Sequence, residues 1–368
     1  MSDAPSLHIN PDIFFLFAGQ DFAVWNFQTH EQFALSKTHV AALLEIAAGE
    51  SIADESPVAD LLAAGILTTG LAESSGGTWQ WDALAKIFHI GTSFPYSDFP
   101  AGEADPGARS RQYAERCDNI LEGIPPDAFS FEKGHEVRQL GTPAGRDGID
   151  LFDALRDRTS TRHFSNESIS FDSISTVLTE TFSYREHLIE KYHAKGLDTP
   201  TKRRSSPSGG SLQCSEAYLV ARRVDGLDPG VYHYRSHANS IALVSPIQDS
   251  IQFGTEYLAG QAFSDDAAAF IVITSRLHKM WWKYQHSRAY RVACLDTGHL
   301  SQTAQLIATG FQLRTWITAA FFDEKLRKLL AIAQHEPEYP MLVLGFGSGD
   351  ADPVDKFYQP IAATAIQE

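Results

Sequence analysis

From Glu216 to Val244 the sequence leaves little choice of local structure. Glu216-Ala217-Tyr218-Leu219-Val220 is a strand-like run, Gly226-Leu227-Asp228-Pro229-Gly230 a turn, and Val231-Tyr232-His233-Tyr234 a second, alternating strand. A polar tip from Ser236 to Ser240 then returns the chain through Ile241-Ala242-Leu243-Val244. Short runs joined by tight turns predict antiparallel pairing. The segment feeding this hairpin is bare: Pro207-Ser208-Gly209-Gly210-Ser211 sets two adjacent glycines between serines. Main-chain N–H groups there can approach a flat ligand with no side chain between, and the serines add hydroxyls.

Farther upstream, Arg158-Thr159-Ser160-Thr161-Arg162 follows a short predicted helix. Two guanidinium groups and a hydroxyl held close together suit a phosphate dianion. Alone, such a loop equally suits solvated cations at a helix C-terminus. A Pro-Ser-Gly-Gly stretch is by itself an ordinary turn. Both loops in one chain, followed by the strand order above, read as the two jaws of a flavin mononucleotide (FMN) site.

On these residues the chain resembles the nitroreductase superfamily, and within it the SagB-type azoline dehydrogenases of clusters that make thiazole- and oxazole-containing peptides. The likeness covers about Leu151 to Gly347. It rests on Arg158 to Phe164, Arg204-Ser205-Ser206-Pro207-Ser208-Gly209-Gly210-Ser211-Leu212 and Gly230 to Tyr234. It continues through Lys283-Tyr284 with Arg288-Ala289-Tyr290-Arg291, Gly298-His299, and Gly310 to Leu313. The resemblance implies an α+β, nitroreductase-like FMN fold, a mixed sheet flanked by helices, assembled as a homodimer with the flavins at the subunit interface. It implies an FMN-dependent dehydrogenase of an azoline (thiazoline or oxazoline) ring, or a similar bond, in a peptide-derived or carrier-bound natural-product intermediate. Dioxygen would reoxidise the flavin, and synthetase partners would assemble with the enzyme.

The same resemblance implies roles for residues. Lys283 would be the general base and Tyr284 would orient it or relay the proton. A lysine serves as a base only as the neutral amine, a form favoured by desolvation and by cationic neighbours such as Arg288 or Arg291. Cofactor contacts would come from Arg158, Thr159, Ser160, Arg162, Arg204, Pro207, Ser208, Gly209, Gly210 and Ser211. Ala319 and Ala320 stand where small glycines usually present a main-chain N–H to flavin N5. Gln213-Cys214 departs from the pattern, in which an aromatic residue or His followed by Pro is common. Without the resemblance, Trp281, Trp282 and Tyr284 around Lys283 read as an aromatic cluster with a snorkelling lysine. Two other functions fit the same residues: an NAD(P)H-dependent nitroreductase or quinone reductase, and a non-catalytic peptide-holding partner in a biosynthetic complex.

Residues 1–95 read as a small winged-helix-like domain, 96–148 as a Pro- and Gly-rich connector, and 149–368 as the catalytic domain. In the first part strands at Ile13 to Phe17 and Phe22 to Trp25 precede helices from Thr38 to Ala48 and Pro57 to Ala64, then a hairpin of Ile66 to Thr68 with Thr78 to Trp81. A winged helix suggests DNA. Through residue 95, however, Lys37 and Lys86 face eleven Asp or Glu, a balance of −9, so phosphate contacts would be repelled. The whole chain, at −16 over 368 residues, likewise argues against nucleic acid and anionic membrane. No apolar run approaches the ~20 residues of a bilayer span and the start lacks an export signal, which predicts a cytoplasmic protein. Cys117, Cys214 and Cys294 are odd in number and lack metal-ligand spacing, so they read as free thiols with no metal.

In the catalytic part a helix is expected from Phe171 to about His193, a buried strand from Ala267 to Thr274, and a helix from Arg291 to Thr309 ended by Gly310. A strand from Thr315 to Phe321 should lead to a helix capped by Asp323, and Met341 to Phe346 is a last buried strand. Leu295, Leu300, Ala304, Ile307 and Ala308 give the long helix an apolar surface too wide for one small sheet, which predicts a partner subunit.

Overall fold

The structure, a computed structural model, describes residues 6–19, 21–70, 82–93, 132–141, 150–185, 187, 190, 194 and 202–349. The chain forms two compact units, Met1–Ser110 and Arg111–Glu368.

In the first unit β1 (His8–Ile9) pairs with β5 (Leu67–Thr68), and β2 (Ile13–Ala18), β3 (Asp21–Asn26) and β4 (Gln32–Ala34) form an antiparallel meander. Helix α1 (Lys37–Ala48) opens on a reciprocal cap: Ser36 Oγ accepts from His39 N and His39 Nδ1 accepts from Ser36 N, 3.3 and 3.1 Å. It closes on Gly49 in the left-handed region. With α2 (Val58–Ala63) it buries Ala42, Leu43 and Leu61 against Val24, Ile66 and Leu67. Lys86 of α3 (Ala83–Gly91) reaches Asp12 at 3.0 Å in a buried ion pair. Leu67 and Thr68 thus pair with β1; residues 78–81, their expected hairpin partner, lie outside the described residues.

The second unit is built on a seven-stranded antiparallel sheet ordered β11-β12-β10-β7-β8-β9-β6. The strands are β6 (His135–Gln139), β7 (Ser215–Ala221), β8 (Gly230–Arg235), β9 (Ser240–Pro246), β10 (Ala269–Arg276), β11 (Arg314–Thr318) and β12 (Glu338–Gly347). Parallel pairing is confined to isolated bridges, Ser160 with Thr315 and Ile169 with Val224. Helices are α4 (Leu151–Asp157), α5 (Phe171–Phe182), α6 (Phe253–Tyr257), α7 (Leu277–Lys283), α8 (Ala289–Gly310) and α9 (Asp323–Leu329). The fold is α+β. Strand β6 lies in the stretch read from sequence as a connector; residues 96–131, with Tyr113, Cys117, Phe129 and Phe131, and 142–148 of that stretch lie outside the described residues.

The period-2 alternation of the central strands divides the core. Ala217, Leu219, Ile271, Ile273 and Leu344 face one way and pack on Ile174, Val177 and Leu178 of α5 and on Leu300, Ala304 and Ala308 of α8. Tyr218, Val220, Phe270, Val272 and Val343 face the other, against Phe253, Trp316, Leu326 and Leu330. Every residue of β7 is buried, which is why it reads as a continuous apolar run with one carboxylate, Glu216.

Two expected boundaries are corrected. The helix expected to run to about His193 is broken after Phe182: Tyr184 N donates to Ser236 O and Arg185 N to Arg203 O, and helical residues return at His187 and Glu190. Asp323 does not cap α9; Phe322 stands at that position, and Asp323 and Glu324 occupy the first turn, where carboxylates complement the helix dipole. Among the described residues no helix is long and apolar enough to cross a membrane, and no group of three or more His, Cys, Asp or Glu is placed to hold a metal.

Candidate functional site: a glycine loop between two helices

Between Arg204 and β7 the chain makes a tight loop. Ser208 is extended (φ −144, ψ 144) and Gly209–Ser211 form one 3₁₀ turn. Gly210, Ser211 and Gln213 all adopt left-handed backbone, with φ of 58, 56 and 49. For Ser and Gln that conformation costs on the order of 1–2 kcal/mol each, so surrounding groups must hold it. Asp296 on α8 supplies one hold. Its Oδ2 accepts from Ser208 Oγ at 2.7 Å and both its oxygens lie 3.1 Å from Gly209 N. Ser208 Oγ in turn accepts from Gln213 N at 3.1 Å. Lys279 on α7 supplies another, donating from Nζ to Gln213 O at 3.2 Å. Arg203 donates to Ser211 Oγ.

The two glycines are required by what flanks them. A Cβ on Gly209 would overlap Val292 Cγ1 of α8. A Cβ on Gly210 would lie 2.7 Å from Tyr284 Oη and 3.1 Å from Lys283 Cδ. The loop therefore runs pinched between α8 and the end of α7, with the Lys283-Tyr284 pair pressed on Gly210. Trp282 and Tyr284 pack against Leu212, Cys214, Met280 and Ala293. Trp281 points away, 56% exposed.

The Arg158 loop stands at the other end of α8. Arg158 closes α4, and the chain leaves it extended, Ser160 bridging to Thr315 and Thr161 N donating to Thr315 O at 2.9 Å. Arg158 and Arg162 are half-buried and Ser160 is exposed; the Arg162 guanidinium lies 6.0 Å from the Phe263 ring. Thr315 Oγ1 lies 3.5 Å from Gln305 Oε1 of α8. Asp296 and Gln305 are nine residues apart, so the two loops meet α8 about 13 Å apart along its axis. A cavity of about 880 Å³ is lined by Thr159, Ser165, Glu167, Gln312 and Arg314, on the Thr159 side rather than between the loops.

Of the remaining candidates, Pro207 is exposed and Ser211 buried. Arg204 is built into the scaffold: it is buried, donates to Ser215 O at 2.9 Å and Ser236 Oγ at 2.7 Å, and lies 5.2 Å from the Tyr184 ring. Ala319 and Ala320 are exposed past the end of β11; Ala320 N donates to Thr318 Oγ1 and Ala320 O accepts from Gln261. Cys214 is buried and Cys294 exposed, both as free thiols.

Charges are buried behind the loop. Lys279 Nζ and His233 Nε2 each lie 3.6 Å from a Glu216 oxygen. Burial works against ionising Glu216, but Lys279, the nearby His233 and Arg204 outweigh it and hold the carboxyl at about 2. Burial, with Arg204 and Arg276, pushes the Lys279 ammonium down while Glu216 pulls it up. With the carboxylate held so low, the two stand as an ion pair. Burial raises Asp296, opposed by the Ser208 and Gly209 hydrogen bonds. Sequence reasoning passed over Asp296 and Lys279. For Asp296 the available signal was a lone charge one turn from both Val292 and Leu300; Lys279, one turn before Lys283, carried none.

Known proteins share this arrangement of chain. The nitroreductase family model matches residues 155–348. Over 199 residues the chain is 25% identical to MJ1384 of Methanocaldococcus jannaschii, which carries the name nitroreductase, covering 54% of this chain and 91% of that protein. Over 282 residues it is 26% identical to the microcin B17-processing protein McbC of Escherichia coli, covering 73% of this chain and 91% of McbC. The crystal structure of a nitroreductase from Anabaena variabilis shares the fold at a TM-score of 0.52 and 23% identity; the match covers 76% of this chain and spans only 50% of that one.

Proposed function

The chain belongs to the nitroreductase family, and from that premise we propose that it is an FMN-dependent dehydrogenase of an azoline ring, or a similar bond, in a peptide-derived or carrier-bound intermediate. What carries this reading is the contact of Lys283 and Tyr284 with Gly210, since a base and its partner meet there the loop proposed to face a flavin. The relationship to a microcin-processing protein supports a peptide-derived substrate and, with it, synthetase partners.

The donor set suits FMN. Arg158, Ser160 and Arg162 fall within five residues of one loop, tied at Ser160 to Thr315, and offer two guanidinium groups and a hydroxyl for one phosphate. Gly210 presents bare backbone beside the proposed base. Of the other proposed cofactor contacts, the Ser208 hydroxyl and Gly209 N–H are already bonded to Asp296, so they shape the loop while Thr159, Arg204, Pro207, Ser211, Ala319 and Ala320 remain proposals at the positions described. Bound there, FMN supplies a two-electron acceptor, with dioxygen as the terminal oxidant. Lys283 takes the proton from the ring carbon next to the one that gives up hydride, and Tyr284 orients the amine. Trp282, Met280 and Val292 pack beside Tyr284 and leave the pair half-buried. We further assign the exposed apolar residues Leu151, Phe152 and Leu155 of α4 with Tyr290 and Leu295 of the adjacent α8 to a homodimer interface.

The visible spectrum of the purified protein, followed by Lys283→Ala in the same preparation, tests the reading. A yellow Lys283→Ala protein unable to oxidise substrate is expected; an active one removes the lysine from the mechanism. Relationship to a protein named nitroreductase makes hydride uptake from NAD(P)H the second reading. Rapid anaerobic bleaching by NADPH without peptide substrate would favour it, and protein that stays colourless with added FMN would favour a peptide-holding role.

A further inference from the structure

Asp296 has no part in the chemistry proposed above, yet it is the main hold on the loop that Lys283 and Tyr284 lean on. It is 4% exposed, on the face of α8 that meets the glycine turn. Every group it touches in the loop is a donor, the Ser208 hydroxyl and the Gly209 amide. An acceptor-only carboxylate satisfies all of them, whereas an asparagine must turn its NH₂ towards one. One turn earlier, Val292 closes on Gly209, so the same helix face both blocks and binds the loop. Ser208 passes the hold on, because its oxygen accepts from Gln213 N across three left-handed residues. On the far side Lys279, on the helix that ends in Lys283, fastens Gln213 O.

We infer that Asp296 is a positioning residue: by holding Ser208 and Gly209 it sets the place of Gly210, and through Gly210 the place of the Tyr284 hydroxyl and the Lys283 amine. Its role rests on Lys283 and Tyr284 being the proton-transfer pair. Loss of the carboxylate releases strain stored in Ser211 and Gln213, and the loop shifts about the contacts it keeps, Ser206 on Thr303 of α8 and Gln213 on Lys279 of α7.

The experiment uses the full chain and three variants, Asp296→Asn, Ser208→Ala and Ser208→Thr. Ser208 has extended backbone, which a β-branched residue adopts readily, so Thr keeps the hydroxyl without strain. Without FMN, acetylation of each lysine by an N-hydroxysuccinimide ester is followed by mass spectrometry, with the exposed Lys328 as internal reference. Asp296→Asn and Ser208→Ala are expected to change the Lys283 rate about fivefold or more relative to Lys328, and Ser208→Thr to restore it, the size expected for loss of one charge-assisted hydrogen bond. With FMN added, the same two variants should bind on the order of tenfold more weakly and lose the shift of the visible flavin band seen in the parent. A lowered Tm with the Lys283 rate unmoved in both variants overturns the assignment and leaves Asp296 a packing residue. If Asp296→Asn does not fold, Ser208→Ala against Ser208→Thr decides alone. A parent protein that never binds FMN sinks the proposed cofactor, while the Lys283 rates still report on positioning.

Discussion

At Gly210 a single missing Cβ connects backbone to chemistry. Its φ is 58, and the Cβ of an alanine there would lie 2.7 Å from Tyr284 Oη, so the substitution fits only if Tyr284 moves. Gly210→Ala should cost about 1–2 kcal/mol from the left-handed backbone alone, read as a lower Tm, and should displace Tyr284. Arg158→Ala and Arg162→Ala should each raise the FMN dissociation constant about tenfold or more, the scale of a hydrogen bond to a charged group. Fluorescence titration checks this, and an unchanged affinity in both would place the phosphate elsewhere. Glu216 carries a pH signature. Its folded value of about 2 lies below the ordinary 4.5, so its stabilisation is present above about pH 4.5 and is lost as pH falls towards 2. Glu216→Gln leaves Lys279 buried without its anion at every pH. The stability gap between parent and variant should be widest near neutrality and narrow as pH falls from about 4.5 towards 2, which denaturant titrations across that range would measure. The glycines, Arg158 and Arg162 stand out in the sequence by residue type and spacing, whereas the Lys283-Tyr284 pair is singled out only by the family resemblance. Asp296, Lys279 and Glu216 were not, because burial of a charge is decided by neighbours far along the chain.

At the scale of elements, α8 carries the site. Its N-terminal half meets the glycine loop through Val292 and Asp296, and its C-terminal half meets Thr315 and the Arg158 loop through Gln305. Its inner face packs on α5, whose first turn depends on Ser170: the hydroxyl accepts from Ser173 N at 3.1 Å. Ser170→Ala should destabilise the protein by about 1 kcal/mol with an unchanged denaturant slope, and a neutral result would mean that packing alone fixes that end. The alternation of β7, β8 and β9 and the apolar runs of β10 and β12 were legible because side-chain period and burial follow directly from residue order. The end of α5 was not. A helix stops early when its next donors find better partners, and Ser236 O and Arg203 O are 52 and 18 residues away in sequence from the donors they meet. The edge strand β6 was equally hidden, since His135–Gln139 is exposed throughout and has no apolar pattern to read.

Over the whole molecule, α4 leaves Leu151, Phe152 and Leu155, and the N-terminal part of α8 leaves Tyr290 and Leu295, between 46 and 67% exposed. Exposed apolar side chains on helices that pack together are candidates for an association surface. Leu295→Asp should shift the sedimenting species from dimer to monomer at micromolar concentration; a monomeric parent would refute the interface at once. Residue order alone determined the strand periods, the flavin-type motif set and the acidic balance of the first unit, because composition, spacing and local dihedral preference need no knowledge of distant contacts. Tertiary structure alone decided that Gly210 meets Lys283 and Tyr284, that Asp296 occupies the loop amides, and that Arg204 turns inward to Ser215 and Ser236. Those outcomes depend on which of several possible partners each donor and charge reaches once the sheet is closed, and that choice is made by packing in three dimensions.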